Sequence, residues 1–193
     1  MDDEELKIPP IDLLRKELER EESRYNFRKT LLNIAGILIV IVAVTVLIAT
    51  RLLILIRVNG VSMAPTLREG DVIFLSQTRE VETGDIIGFY YGGKVLLKRV
   101  IAASGDYIEI DKEGNVYVND ERLEEPYLTK QSLGKCELDF PYQVPTGMFF
   151  VLGDNRAVSM DSRIKTIGCV EKDQIVGKVI FRAWPLVSMG TMH

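Results

Sequence analysis

The stretch V58-N-G-V-S-M-A-P-T-L-R-E-G-D-V-I-F-L75 divides the chain into two kinds of structure. It starts almost where a long apolar segment stops, and it ends in the β-prone run VIFL. Between them the backbone turns. Gly60 permits angles other residues resist, Pro65 fixes its own φ and pushes Ala64 towards extended geometry, and Gly70-Asp71 closes a turn before the strand. Ser62 sits inside this turn, a small hydroxyl held between a glycine and a proline. Taken alone, the stretch reads equally as an ordinary β-turn beside a strand, where serine is common.

Upstream, Leu31 to Thr50 reads LLNIAGILIVIVAVTVLIAT, without a charge. About 20 residues at 1.5 Å rise span about 30 Å, the thickness of a bilayer core. A buried globular helix would show a polar face, and this run shows none. Apolar residues continue through LLILI to Ile56, interrupted by Arg51, which can snorkel to an interface. A cleaved leader is the rival reading. About 30 residues precede the run and no small-x-small site follows it, so the pattern reads as an uncleaved anchor over residues 31–56. Before it, Met1 to Lys29 is charged and polar. Ile11, Leu14 and Leu18 recur at helical spacing behind Pro9 and Pro10, which reads as a short amphipathic helix or as a solvated tail. Arg20, Arg24, Arg28 and Lys29 flank the front of the run, with Lys7, Arg15 and Lys16 farther out. Arg51, Arg57 and Arg68 follow it. The basic excess in front predicts a cytoplasmic tail over residues 1–30 and an extracytoplasmic domain over residues 57–193.

Downstream the pattern is β. DVIFL, DIIGFYY (Asp85 to Tyr91) and KVLLKRVIAA (Lys94 to Ala103) are β-branched and aromatic, with turn signals between them. Gly92-Gly93 predicts a tight hairpin. DYIEI and VYVN flank DKEGN as a second hairpin, and GMFFVLGD and IVGKVIFRAW read as late strands. Pro126 to Pro145 is less regular and reads as a surface excursion. The fold class is therefore mainly β, with a single N-terminal transmembrane helix followed by a β-rich extracytoplasmic domain. About 135 residues outside the bilayer suffice for one core.

Composition excludes several chemistries. The 193 residues carry a formal net charge of −4, so there is no basic field for nucleic acid. The single histidine is the last residue, a poor place for a base, which argues against a Ser-His-Asp triad. Cys136 and Cys169 are far apart, with no CxxC and no internal histidine, so no zinc site is expected. Nothing in their spacing argues for a disulfide over two thiols.

Without histidine, activating a serine requires a carboxylate, a tyrosine or a lysine within hydrogen-bond reach. A lysine serves only when neutral, so its pKa must fall from about 10.4, and burial is the usual cause. Lys98 follows Val95, Leu96 and Leu97 in the most apolar strand of the outer domain. Strand alternation puts it on the face of Leu96 and Val100, which should be buried. The alternative is an exposed strand lysine with Arg99 pointing outward. The residues alone leave both readings open.

Three further segments keep Ser62 company: LLKRVI (Leu96 to Ile101), ASGD (Ala103 to Asp106) and LGDNRAVSMDSR (Leu152 to Arg163). SM-PTL, then KRV, then GDNR--S-DSR, in this order after one membrane anchor, resembles type I signal peptidase, the bacterial leader peptidase family of Ser-Lys dyad serine proteases. The resemblance covers Asn59 to Pro185. Each motif is weak singly and the set is highly specific. It implies Ser62 as nucleophile and Lys98 as general base. It implies Ser159 as a hydrogen-bond partner of the lysine amine, Asp161 with Arg163 as a structural ion pair, and Gly153, Asp154, Asn155 and Arg156 as architecture. Some family members carry a serine two positions before the nucleophile that helps the oxyanion hole. Here that position is Gly60, as in Gram-positive members, so the oxyanion would rest on backbone N–H groups, chiefly that of Ser62, with the second donor unassigned.

The resemblance further implies that an extended peptide adds a strand to exposed edges before Ser62 and before Lys98. Val58, Met63, Leu67 and Leu97 would line shallow pockets for small residues at the first and third positions before the cut. The partners implied are preprotein signal peptides of the A-x-A type and the lipid bilayer, with no cofactor, no metal and no nucleic acid. Two rival functions remain at this point: a related Ser-Lys protease that cuts itself, and a non-enzymatic anchored β-domain acting as a scaffold.

Overall fold

A computed structural model describes residues 11–192. Pro9 and Pro10, expected to start the first helix, and the terminal His193 lie outside the described residues. The chain divides into two compact units, residues 1–50 and 51–193.

The first unit is helical. Helix α1 runs Ile11–Leu52, 42 residues, or about 63 Å at 1.5 Å each. The sequence reads as a short amphipathic helix or a solvated tail ahead of a separate apolar helix, and the structure makes both segments one helix from Ile11. No glycine or proline lies between Ile11 and Leu31, and the intervening Glu, Arg, Lys and Leu favour helix. The part from Arg15 to Leu47 is long and apolar enough to cross a membrane. Leu32, Ile37 and Ile39 are all more than 60% exposed.

The second unit is a β domain. Its strands are β1 (Leu53–Arg57), β2 (Val72–Ser76), β3 (Ile86–Tyr91), β4 (Lys94–Ala102), β5 (Tyr107–Ile110), β6 (Val116–Val118), β7 (Glu121–Arg122), β8 (Tyr142–Gln143), β9 (Met148–Leu152), β10 (Val170–Glu171), β11 (Ile175–Trp184) and β12 (Gly190–Thr191). Among the described residues they form an eight-stranded sheet ordered β1-β2-β11-β3-β4-β9-β10, with β12 on β11, and a four-stranded sheet ordered β7-β6-β5-β8. All pairings are antiparallel.

The run expected to continue the anchor to Ile56 is strand β1 instead, registered against β2 from Leu53↔Ser76 to Arg57↔Val72. Ile54 and Ile56 pack on the core formed by Val58, Met63, Leu67, Ile73, Leu75, Ile86, Leu97 and Val179. A partner strand and a core to face decide the state of this apolar run, which periodicity cannot. The Gly92-Gly93 hairpin forms as its residues predict, with both glycines at positive φ between Tyr91 and Lys94. The DKEGN hairpin joins β5 to β6.

β4 is buried on both faces from Leu97 to Ala102. Leu97 joins the core above, while Leu96 and Val100 face Ile87, Phe89 and Val151. Cys136 and Cys169 are free thiols.

Candidate active site

The Ser62 loop is built from its ends. After β1 the chain turns, and Val58 N–H donates to Asp71 O at 2.8 Å while Gly70 N–H donates to Val58 O at 2.9 Å. Within the loop, Ala64 N–H reaches Val61 O and Leu67 N–H reaches Met63 O. Met63 and Leu67 anchor it in the core, and Ser62, just before Met63, is half-buried. Gly60 has φ +90°, a conformation that favours glycine, and no other group lies within 4 Å of where its Cβ would be. Among the described residues no hydrogen bond engages the Ser62 N–H.

Lys98, on β4, is 3% exposed. Its Nζ lies 3.0 Å from Ser62 Oγ and donates to Leu97 O at 2.9 Å. Burial lowers its pKa from the ordinary 10.5 to about 8, against the opposing pull of the Asp161 and Asp154 carboxylates, while Arg163 adds slightly to the fall. That displacement corresponds to about 3 kcal/mol against the protonated form. Arg99 does not point to solvent. It is 4% exposed and grips Asp154 through Nε–Oδ1 at 3.0 Å and Nη2–Oδ2 at 2.7 Å. An arginine on the second buried face of a strand needs such a partner, since an unpaired buried charge is costly.

The segment after β9 holds loop and strand together. Asn155 N–H donates to Ser62 O at 2.9 Å, and its side-chain amide donates to Val61 O at 3.2 Å. Thr66 donates its hydroxyl to Asp154, the same carboxylate that Arg99 holds. Gly153 leaves no room for a side chain: a Cβ there would sit 2.1 Å from Ser159 Oγ and 2.6 Å from Ser62 O.

Asp161 and Arg163 form a buried two-point pair, Nε–Oδ1 and Nη2–Oδ2 both 2.8 Å. Asp161 also accepts Gly153 N–H at 3.0 Å, so the pair supports the turn beside Ser62. The expected hydrogen bond between Ser159 and the lysine amine is not formed. The Ser159 hydroxyl is buried without a hydrogen-bond partner among the described residues, and the amine is turned to Leu97 O and Ser62 Oγ. Residues 159–162 form no strand: irregular backbone at Ser159 and Met160 leads through a bend at Asp161 into a turn at Ser162. Ser162 is fully buried, and its Oγ accepts Val151 N–H at 2.9 Å.

A cleft lined by Ile56, Val58, Gly60, Ser62, Met63 and the Val95–Lys98 segment carries the pair. Of the residues expected in the pockets, Val58, Met63 and Leu97 line it. Leu67 does not: it is fully buried in the core, because the turn after Pro65 aims it inward. Ile56, Val95 and Leu96 belong to the lining as well. Two strand edges flank the cleft. β1 pairs only with β2, and β4 meets β9 only from Arg99 onward, so Lys94–Lys98 has one edge without a strand. A larger cavity lined by Thr66, Arg68, Asp71, Arg182 and Ser188 includes neither Ser62 nor Lys98. Thr66, which donates to Asp154, is the residue that sequence reasoning left without a role. No local signal marks it, because its partner lies 88 positions away.

The family model described as signal peptidase, peptidase S26, matches residues 31–184. The chain belongs to the signal peptidase family. Signal peptidase IB of Staphylococcus aureus is 38% identical over 148 residues, covering 66% of this chain and 76% of the relative. Signal peptidase I of Bacillus caldolyticus is 41% identical over 162 residues, covering 75% and 87%. The crystal structure of a signal peptidase I from Enterococcus faecalis V583 matches with 30% identity and a TM-score of 0.42, covering 51% of this chain and 96% of that one. Membership of the signal peptidase family makes the chain a peptidase. Its long apolar N-terminal helix fits a membrane-anchored protein of that family.

Proposed function

We propose that this chain is a membrane-bound serine endopeptidase that removes N-terminal signal peptides from exported preproteins, with Ser62 as nucleophile and Lys98 as general base. The observation that carries the reading is the 3.0 Å approach of Nζ to Oγ at an amine that burial makes easier to deprotonate. The neutral amine accepts the Ser62 proton as Oγ attacks the scissile carbonyl carbon. The oxyanion is met by the Ser62 N–H, with no side-chain donor at Gly60. The ammonium then protonates the leaving amine, and the same base activates water to release the acyl chain. A buried amine suits this cycle because its two charge states are closer in energy than in water.

The substrate lies extended between the open edges of β1 and of Lys94–Lys98, adding main-chain hydrogen bonds to both. Val58, Met63 and Leu97 shape apolar pockets for small side chains before the cut. Asp161 with Arg163 holds the turn, and Ser159 offers its hydroxyl to the amine once substrate reorganises the site. No cofactor or metal takes part. Helix α1 crosses the bilayer once, with residues 1–30 in the cytoplasm and the β domain from Leu53 on the far side, where preproteins emerge.

The test is cleavage of a purified preprotein carrying an A-x-A site, with product mass read by spectrometry. Ser62→Ala, Lys98→Ala and Lys98→Arg should each stop cleavage, the last because arginine stays protonated. Robust turnover by Lys98→Arg rules out the lysine base. Protease added outside spheroplasts should digest the β domain and spare the tail, and the reverse pattern overturns the orientation.

A further inference from the structure

Residues 126–145 read as an irregular excursion, yet the start of this connection between β7 and β8 holds buried chemistry. The Glu125 side chain is 1% exposed, as is that of Arg156, whose Nη1 and Nη2 both donate to the Glu125 carboxylate. Arg156 Nε donates in turn to Gly153 O at 3.1 Å. The Tyr127 hydroxyl donates to Glu125 Oε1 at 2.8 Å. The Tyr127 ring lies over the Arg99 guanidinium, 3.9 Å from its carbon. Burial and the Glu125 carboxylate hold the Tyr127 phenol well above its ordinary pKa, so it stays a neutral donor.

We propose that Glu125 and Tyr127 are positioning residues for the peptidase reaction, clamping the two segments that bring Ser62 and Lys98 together. This rests on the Ser62/Lys98 reading above. The clamp has two arms. Through Arg156, Glu125 fixes the turn Gly153–Arg156, whose Asn155 N–H holds Ser62 O. Through Arg99, Tyr127 covers the open face of the residue next to Lys98, whose edge is already tied to Asp154 and to Gly84 O. Cation–π contact of a desolvated guanidinium and a charge-assisted two-point pair are both strong and directional. Without Glu125, Arg156 is a buried charge with no counter-charge, and it would draw in water or move, taking Gly153 and Asn155 with it. Displacement of a reacting pair by about 1 Å costs about 100-fold in rate.

The experiment uses the full chain in liposomes with an A-x-A preprotein. It measures kcat, KM and the pH profile of Glu125→Gln, Tyr127→Leu and Tyr127→Phe at a temperature well below each variant's Tm. Glu125→Gln and Tyr127→Leu should lose about 10- to 100-fold in kcat with KM within about twofold, since positioning and not affinity is impaired. Tyr127→Phe, which keeps the ring over Arg99, should fall between Tyr127→Leu and wild type. The rising limb of Glu125→Gln should move to lower pH, because Arg156 no longer has its counter-charge. The exposed neighbour variant Glu124→Gln should match wild type. A lowered Tm with unchanged kcat and an unmoved limb, or a change in KM alone, makes the clamp merely structural and overturns the proposal. Wild-type cleavage by Ser62→Ala in the same assay would instead overturn the dyad reading itself, and this inference with it.

Discussion

The Lys98 amine and the Ser62 hydroxyl lie 3.0 Å apart although 36 positions separate them in the chain. The contact is made by a buried strand on one side and by a turn anchored through Met63 and Leu67 on the other. Neither group is held by its sequence neighbours alone.

Activity should follow the Lys98 proton. The reactive form is the neutral amine, so kcat/KM should climb about tenfold per pH unit below a pKa of about 8 and flatten above it. Substrate covering the cleft excludes more water, which should put the kcat limb lower still. A pH–rate profile in detergent or liposomes checks this. A limb near 10.5 would mean the amine is not desolvated.

The same burial should cost stability at neutral pH. The folded pKa is depressed below the unfolded one, so between about 8 and 10.5 the unfolded chain binds more protons and stability rises with pH. Below about 8 the penalty is fully present. Lys98→Met keeps the stem and removes the charge, and it should stabilise the inactive protein by up to about 3 kcal/mol at pH 7. The gap should close as pH approaches 10.5, and denaturant titrations at two pH values would measure it.

Ser159 and Ser162 should separate by readout. Ser159→Ala deletes a buried hydroxyl that has no partner, so stability should be kept or improved while kcat falls if the hydroxyl serves the amine. Ser162→Ala leaves the buried Val151 N–H without its side-chain acceptor and should cost about 1–3 kcal/mol of stability. Its activity per folded molecule should change less. Paired Tm and rate measurements decide, and an unchanged rate in Ser159→Ala removes that residue from the site.

Gly153→Ala should be severe. Its methyl would meet Ser159 Oγ at 2.1 Å and the Ser62 carbonyl at 2.6 Å, and the second atom is backbone. The Ser62 turn must then shift, and a loss of about 100-fold in kcat is expected. Overpacking adds about 1–3 kcal/mol of destabilisation. A wild-type rate would show that the turn and the Gly153 segment move independently.

Local pattern decided what local physics controls. An uncharged run as long as a bilayer is thick reads as helix, and its residues lie within α1, while Gly92-Gly93 turns because both positions take positive φ. The apolar run around Lys98 also marked a strand with a buried stretch, and Lys98 is buried in it. The order of the SM-PTL, KRV and GDNR--S-DSR motifs pointed to the peptidase family, to which the chain belongs. Tertiary structure decided the rest. Leu53 to Ile56 became a strand because β2 and a core were there to receive it. Leu67 left the cleft for the core because the turn after Pro65 aims it inward. Arg99 turned out to be buried because Asp154, 55 positions away, neutralises it. Whether a charge is solvated or paired depends on what the fold places beside it, and pairings between distant segments leave no periodic mark in the sequence.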